Sequence, residues 1–239
     1  MTTLNRPYIT CHMMSTIEGK IASGIAGVNL LDDNYFDLYT EIEHKIKPQA
    51  WMCGRVTSEM FVKEVGTPLP KTDIEINNED FIVPHDGAQY FVTVDTKGLL
   101  RWEDDKLTLS DQPAPNYIIT VVTHKTPKEY LAHLQQNNIS YIYAGENTVN
   151  FDQVFHKLFG KFNIQTLLLE GGGLLNGSIM EAGLIDEISL LVCPIVANRK
   201  DAPSTFERKA EMVDVKEYKL TEVKQMAKDT VWLRYKKID

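Results

Sequence analysis

Residues 167–178 read Leu-Leu-Leu-Glu-Gly-Gly-Gly-Leu-Leu-Asn-Gly-Ser. The leucines belong to an apolar run over 164–170, the length of a buried strand. Residues 174–182 then have the composition of a helix closed by Gly183. A strand that runs through glycines into a helix is the β-to-α step of a parallel sheet. Glycines accept positive φ and let the backbone approach a ligand closely. The helix start presents free N–H groups and a partial positive charge, which suits a phosphate. Asn176 and Ser178 add side-chain donors. The same pattern also makes a glycine-rich turn that binds nothing, and the residues alone leave both possibilities open. Glu170 stands at the carboxyl end of the strand, where open α/β sheets hold their ligands. A carboxylate there is costly to bury without a partner, so Glu170 either faces a ligand or caps the glycine turn.

The alternation continues on both sides of this block. Residues 7–15 predict a strand opened by proline, and 32–47 a helix with acids first and lysines last, as the helix dipole favours. A short strand over 50–53 and a helix over 55–62 follow. Residues 65–87 carry little period and three prolines, and a connection of that length is expected to be functional or mobile. Strands are predicted at 89–94, 116–123, 140–143 and 187–196. Helices are predicted at 126–137 and 151–159. In the first of these, Thr126, Pro127 and Glu129 suggest a capping box. Residues 218–224 and 230–236 predict an antiparallel pair. The fold class is therefore α/β: a mostly parallel central sheet with helices on both faces and an antiparallel C-terminal edge. With no repeat or linker, residues 1–239 are expected to form one domain.

Composition narrows the partners. Asp plus Glu number 33 against 25 Lys plus Arg, a net charge of −8. Such a surface repels nucleic acid and anionic membrane while still allowing a local pocket for one phosphate. At 43% hydrophobic and 24% charged, the chain is neither disordered, collagen-like nor a disulfide scaffold. Cys11, Cys53 and Cys193 are isolated and odd in number, which predicts reduced thiols and a cytoplasmic location. The start lacks a signal peptide's apolar core, and no apolar run reaches the roughly 18 residues that would cross a bilayer.

Two more segments carry candidate chemistry. Gly54, Arg55, Val56 and Thr57 lie where a strand meets a helix. A forked cation and a hydroxyl there suit a phosphate such as the 2′-phosphate of NADP, or make an ordinary helix start. Residues 15–22, Ser-Thr-Ile-Glu-Gly-Lys-Ile-Ala, end the first strand with hydroxyls, a carboxylate and an amine, or form a plain polar turn. G-x-G-x-x-G, the P-loop, a Tyr-x-x-x-Lys pair and a nucleophile elbow are all missing. The six histidines show no metal-ligand spacing, so no metal is expected. His12, in the first strand, suits a satisfied structural histidine.

Taken together, the blocks at 6–9, 15–22, 54–57, 167–178 and 183–190, with Pro194, resemble one family. It is the C-terminal reductase domain of the riboflavin-biosynthesis deaminase/reductase, which has a dihydrofolate-reductase-like fold. The order holds from about Arg6 to Tyr235. The resemblance implies an NADPH-dependent reductase that passes hydride to C1′ of a pyrimidine ribosylamine 5-phosphate. It implies that Gly172, Gly173, Asn176, Gly177 and Ser178 hold the cofactor, with Gly54, Arg55 and Thr57. Ser15 and Lys20 would line the cleft, Glu170 would face the substrate, and Lys20 or Glu170 would assist proton movement. It also implies a homodimer and, over this chain, no deaminase domain. Glu18 stands where the family has Asp, Thr57 is followed by Ser-Glu-Met-Phe-Val-Lys-Glu instead of a D-D-P motif, and residues 23–29 match loosely. The alternatives are a reductase of another heterocycle, such as a pterin, and an NADP-binding module without turnover.

Overall fold

The computed structural model describes residues 5–21, 33–85, 87, 89–109, 114–208 and 215–238. The loose match at 23–29 and residue 32 lie outside these. The chain divides into two compact units, Met1–Pro7 with Gln49–Leu167, and Tyr8–Pro48 with Leu168–Asp239.

The second unit is built on β1 (Tyr8–Thr16), β8 (Glu187–Cys193), β9 (Tyr218–Gln225) and β10 (Val231–Lys237). β1 pairs β8 in parallel, from Thr10↔Glu187 to Thr16↔Cys193. β10 is antiparallel to β8 and β9 antiparallel to β10, so the C-terminal edge is the expected antiparallel pair. β8 ends at Cys193 because Pro194, which has no N–H, cannot continue the ladder. β1 is buried almost throughout, so both its faces are covered. Helix α1 (Asp33–Ile46) lays Leu38 and Ile42 on the face of Met14, Leu191, Cys193 and Trp232. That spacing of four places both side chains on one helix face. On the opposite face, Met13 touches the glycine block that opens helix α5 (Gly173–Glu181). The stop predicted at Gly183 is present. Gly183 has φ +69, and the Leu184 N–H reaches back to Ile179 O at 3.2 Å, which is a Schellman closure.

His12 is buried in β1 between these layers. Trp232 Nε1 donates to Ser189 Oγ at 2.8 Å, and Ser189 Oγ lies 3.0 Å from His12 Nδ1. His12 Nε2 lies 3.2 Å from Tyr39 O, and the His12 and Tyr39 rings stack at 4.1 Å. A neutral imidazole protonated at Nε2 satisfies this chain. Burial holds its pKa down at about 4.

The first unit contains β2 (Ala50–Gly54), β3 (Gln89–Val94), β5 (Asn116–Val122) and β6 (Ser140–Tyr143), all in parallel register. β4 (Lys106–Leu107) adds an antiparallel edge against Tyr117 and Asn116. β7 (Thr166–Leu169) runs across the division between units. Trp51, Phe61, Phe91 and Trp102 form an aromatic cluster with ring centroids 4.2–5.9 Å apart. The neighbour of Phe91, Tyr90, points to the other face and meets Phe162 at 5.5 Å. Phe162 explains why helix α4 (Phe151–Phe162) outruns the predicted stop at 159. Gly160 is exposed and meets nothing, and the helix continues until Asn163 turns left-handed at φ 54. The predicted helix 55–62 is instead one turn, α2 (Arg55–Ser58), followed by a tighter turn over Glu59–Phe61.

One expectation is corrected here. Helix α3 (Lys128–Gln136) has no capping box. The Thr126 hydroxyl is engaged away from the helix, accepting from Thr123 N–H at 3.1 Å and donating to Thr96 O at 3.1 Å. After α2, residues 80–83 of the long connection are tied to β6 and α4. Phe81 and Tyr141 exchange backbone bonds at 3.0 and 2.9 Å, and Ser140 Oγ accepts from Val83 N. Asp80 accepts from Tyr143 N at 2.8 Å, Lys157 at 2.9 Å and Lys161 at 2.7 Å. These ties cover the free edge of β6, which would otherwise offer unpaired groups. Among the described residues, no helix is long and apolar enough to cross a membrane.

Candidate functional site

The site in the second unit starts at the end of β1. Ser15 is buried, and its Oγ has no hydrogen-bond partner among the described residues. A buried hydroxyl left unmade costs about 1–3 kcal/mol, so such a group is notable. The chain then turns. Gly19 N and Thr16 O bond at 3.0 Å, and Lys20 N donates to Thr16 Oγ1 at 3.1 Å. Lys20 Nζ donates to Ala202 O at 2.9 Å and Ser204 Oγ at 3.3 Å.

The glycine block supplies the other part. Glu170 is half-buried with Oε1 fully enclosed. It faces Cys11, whose thiol pKa is raised by burial and by the Glu170 charge. Gly172 caps α5, and its carbonyl accepts from Leu175 N at 3.0 Å and Asn176 N at 3.1 Å, which leaves the Gly173 and Leu174 N–H groups without an acceptor inside the helix. No acid occupies that turn. Gly172, Leu174 and Ser178 form its open side, and the Ser178 hydroxyl donates to Leu174 O at 2.8 Å.

The other side of α5 lies under residues 202–208. A Cβ on Gly173 would collide with Ser204 O, and one on Gly177 with Glu207 O. Glu207 N donates to Gly173 O at 2.9 Å, and Asn176 Nδ2 donates to Thr205 O at 2.9 Å. Asn176 is fully buried and its Oδ1 has no partner among the described residues. Gly173, Asn176 and Gly177 therefore receive the chain's own backbone, which corrects the expectation that the close approach at these three positions is made by a ligand. The same segment binds the β1 turn. Thr205 N donates to Gly19 O at 3.2 Å, and Ile21 N to Pro203 O at 2.9 Å. Ser15, Lys20, Glu170 and residues 171–178 thus fall within one unit, joined by a strap that sequence analysis missed. The usable signal was Gly177, a glycine inside a helix, which usually marks a packing need.

Gly54, Arg55 and Thr57 belong to the first unit. Arg55 pairs with Glu59 one turn on. Thr57 is half-exposed, and its neighbour Ser58, also missed, bonds Thr93 Oγ1 at 2.7 Å. The first unit also has a cavity of about 470 Å³ lined by Asp80, His124, Tyr143, Lys157 and Lys161. Its lysines serve Asp80, and His124 stands 3.7 Å from Glu146. Among the described residues, no three His, Cys, Asp or Glu side chains group as a metal site.

Solved structures share this fold. A pyrimidine reductase-like protein from Corynebacterium diphtheriae aligns with TM-score 0.69 at 17% identity, covering 100% of this chain and 94% of that one. The riboflavin biosynthesis reductase of Saccharomyces cerevisiae aligns with TM-score 0.62 at 12% identity, covering 100% and 93%. Among curated proteins, one from Methanothermobacter thermautotrophicus is 26% identical over 211 residues, covering 87% of this chain and 88% of that protein. One from Aquifex aeolicus is 24% identical over 206 residues, covering 84% and 83%. Both are named 2,5-diamino-6-ribosylamino-4(3H)-pyrimidinone 5′-phosphate reductase. The profile of the RibD C-terminal domain matches residues 70–232, a span holding the glycine block, the strap and most of the sheet, and the chain belongs to that family.

Proposed function

We propose that this chain is an NADPH-dependent reductase of a pyrimidine ribosylamine 5-phosphate in riboflavin biosynthesis. The observation that carries the proposal is the pair of curated relatives, aligned over more than four-fifths of both chains and both named as such a reductase. Their shared name favours the 2,5-diamino pyrimidinone as substrate over 5-amino-6-(5-phosphoribosylamino)uracil. The residues fit a phosphate-bearing cofactor. Among the described residues the Ser15 hydroxyl has no partner, the Gly173 and Leu174 N–H groups have no acceptor within the helix, and the first turn of α5 carries no acid of its own, so these are donors that a phosphate can use beside the Glu207 carboxylate.

In this proposal Gly172, Ser178 and Ser15 contact the cofactor, while Gly173, Asn176 and Gly177 hold the helix that presents them. Gly54, Arg55 and Thr57 keep the cofactor role that the family resemblance implies. The cofactor supplies hydride; the protein orients two partners at reacting distance, which is the larger share of such catalysis. Glu170 moves a proton at the ribose oxygen or the amine. The three buried, unbridged cysteines suit a cytoplasmic setting, and a homodimer is the assembly we infer.

The test is a titration with NADPH and NADH by nicotinamide fluorescence, then the absorbance of the reduced nicotinamide with either pyrimidine. NADPH-selective binding with oxidation by the diamino substrate is the expected result. Binding without oxidation by either would leave an NADP-binding module, and no binding would overturn the proposal.

A further inference from the structure

Residues 202–208 cross between two elements that the chain separates widely. On one side they bond the turn after β1. An antiparallel bridge pairs Lys20 with Ser204, and the bonds from Thr205 to Gly19 and from Ile21 to Pro203 flank it. On the other side they lie on α5, where Gly173 and Gly177 have no Cβ to keep the Ser204 and Glu207 backbone away. Glu207 tightens the crossing. Its Oε1 accepts from Ser204 N at 3.0 Å, and its Cδ lies 3.4 Å from where a Cβ of Gly173 would be. A carboxylate beside a helix N-terminus is favoured by the dipole. Arg208 continues the contact by pairing with Glu181 near the far end of α5.

Lys20 is the only side chain of the β1 turn whose charge enters this crossing among the described bonds. Its ammonium is directed at a carbonyl and a hydroxyl of its own chain. A general acid must instead reach the atom it protonates. We propose that Lys20 is a positioning residue: it pins the 202–208 strap across the first turn of α5, and so sets the helix face that holds the cofactor. The effect on cofactor rests on the function proposed above; the pinning of the strap does not.

The experiment uses the full chain and three variants, Lys20→Met, Lys20→Arg and Ser204→Ala. Amide hydrogen exchange is measured first, without cofactor. Lys20→Met speeds exchange at Thr205 and Glu207 by about tenfold or more, Lys20→Arg restores most of the protection, and Ser204→Ala gives a smaller effect of the same sign. If Lys20→Met does not fold, Ser204→Ala carries the test. Kinetics follow. Lys20→Met raises the KM for NADPH by about tenfold, leaves kcat within about threefold, and leaves both limbs of the kcat pH profile in place. Unchanged exchange at 205 and 207 would overturn the pinning whether or not the chain uses NADPH. Collapse of kcat with loss of one pH limb would make Lys20 the proton donor instead.

Discussion

The main-chain oxygen of Glu207 occupies the space that a Cβ on Gly177 would need. Backbone cannot step aside as a flexible side chain does, so the pair fixes how close the strap lies to α5. Gly177→Ala is therefore expected to cost about 1–3 kcal/mol, as overpacking does, despite the better helix propensity of alanine. Gly160, inside α4, is the internal control. It is exposed and a Cβ there would meet nothing within 4 Å, so Gly160→Ala should gain about 0.5–1 kcal/mol. Urea unfolding of both variants checks the pair. Two changes of the same sign would show that the contact at Gly177 does not set its cost.

How much of this was legible can be judged at the same helix. The β-to-α step at 164–182 was readable because its signals are local: three leucines, three glycines and a closing glycine. What rests on Gly177 was not, because Glu207 lies 30 residues further on and nothing near 207 marks it as a partner of α5. The same limit applies to Asp80. Its lysine partners lie on α4, so sequence showed a long unpatterned connection and not its ties. β4, only Lys106 and Leu107, is too short to show any period. Asn176 was legible as a polar group near the helix start, but its bond to Thr205 O is a tertiary choice between ligand and chain.

His12 gives a pH prediction. Its folded pKa is about 4, below the ordinary 6.5, because burial disfavours the charged ring. Above pH 6.5 both folded and unfolded states hold it neutral and it adds no pH dependence. As the pH falls below 6.5 the unfolded chain binds a proton that the folded chain refuses. Stability then drops by about 1.4 kcal/mol per pH unit, roughly 3 kcal/mol in all by pH 4. His12→Gln should remove that slope while still donating to Tyr39 O. The measurement is the urea midpoint at pH 7 and pH 4.5 in both proteins. An equal acid loss in the variant would remove His12 as its source.

Glu187 and Arg234 make a second stability test at the sheet edge. Glu187 is buried, receives Arg234 Nε at 2.6 Å and Tyr8 OH at 3.0 Å, and raises the Tyr8 pKa together with burial. Removing the cation leaves a buried carboxylate with only the phenol. Breaking a buried pair costs about 3–5 kcal/mol, and because Arg234 is 31% exposed the expected loss for Arg234→Met is nearer about 2 kcal/mol. Glu187→Gln, which keeps acceptors for both partners without the charge, should cost less. Thermal unfolding of the two variants orders them. A larger loss for Glu187→Gln would mean that the charge itself, not the stranded carboxylate, carries the effect.

Arg55 tests the cofactor assignment in the first unit. Its guanidinium pairs with Glu59 one helical turn away, and both are partly exposed, a pairing that contributes little to stability. The fork therefore has donors to offer a phosphate at small cost to the fold. If Arg55 reads the 2′-phosphate, Arg55→Ala weakens NADPH binding by about tenfold or more and leaves NADH, which lacks that phosphate, nearly unchanged. Glu59→Gln frees the same guanidinium and should tighten NADPH slightly, with no effect on NADH. Fluorescence titration of both nucleotides against the three proteins measures this directly. Equal losses for NADPH and NADH in Arg55→Ala would place Arg55 outside the phosphate contact and leave its role to the ion pair with Glu59.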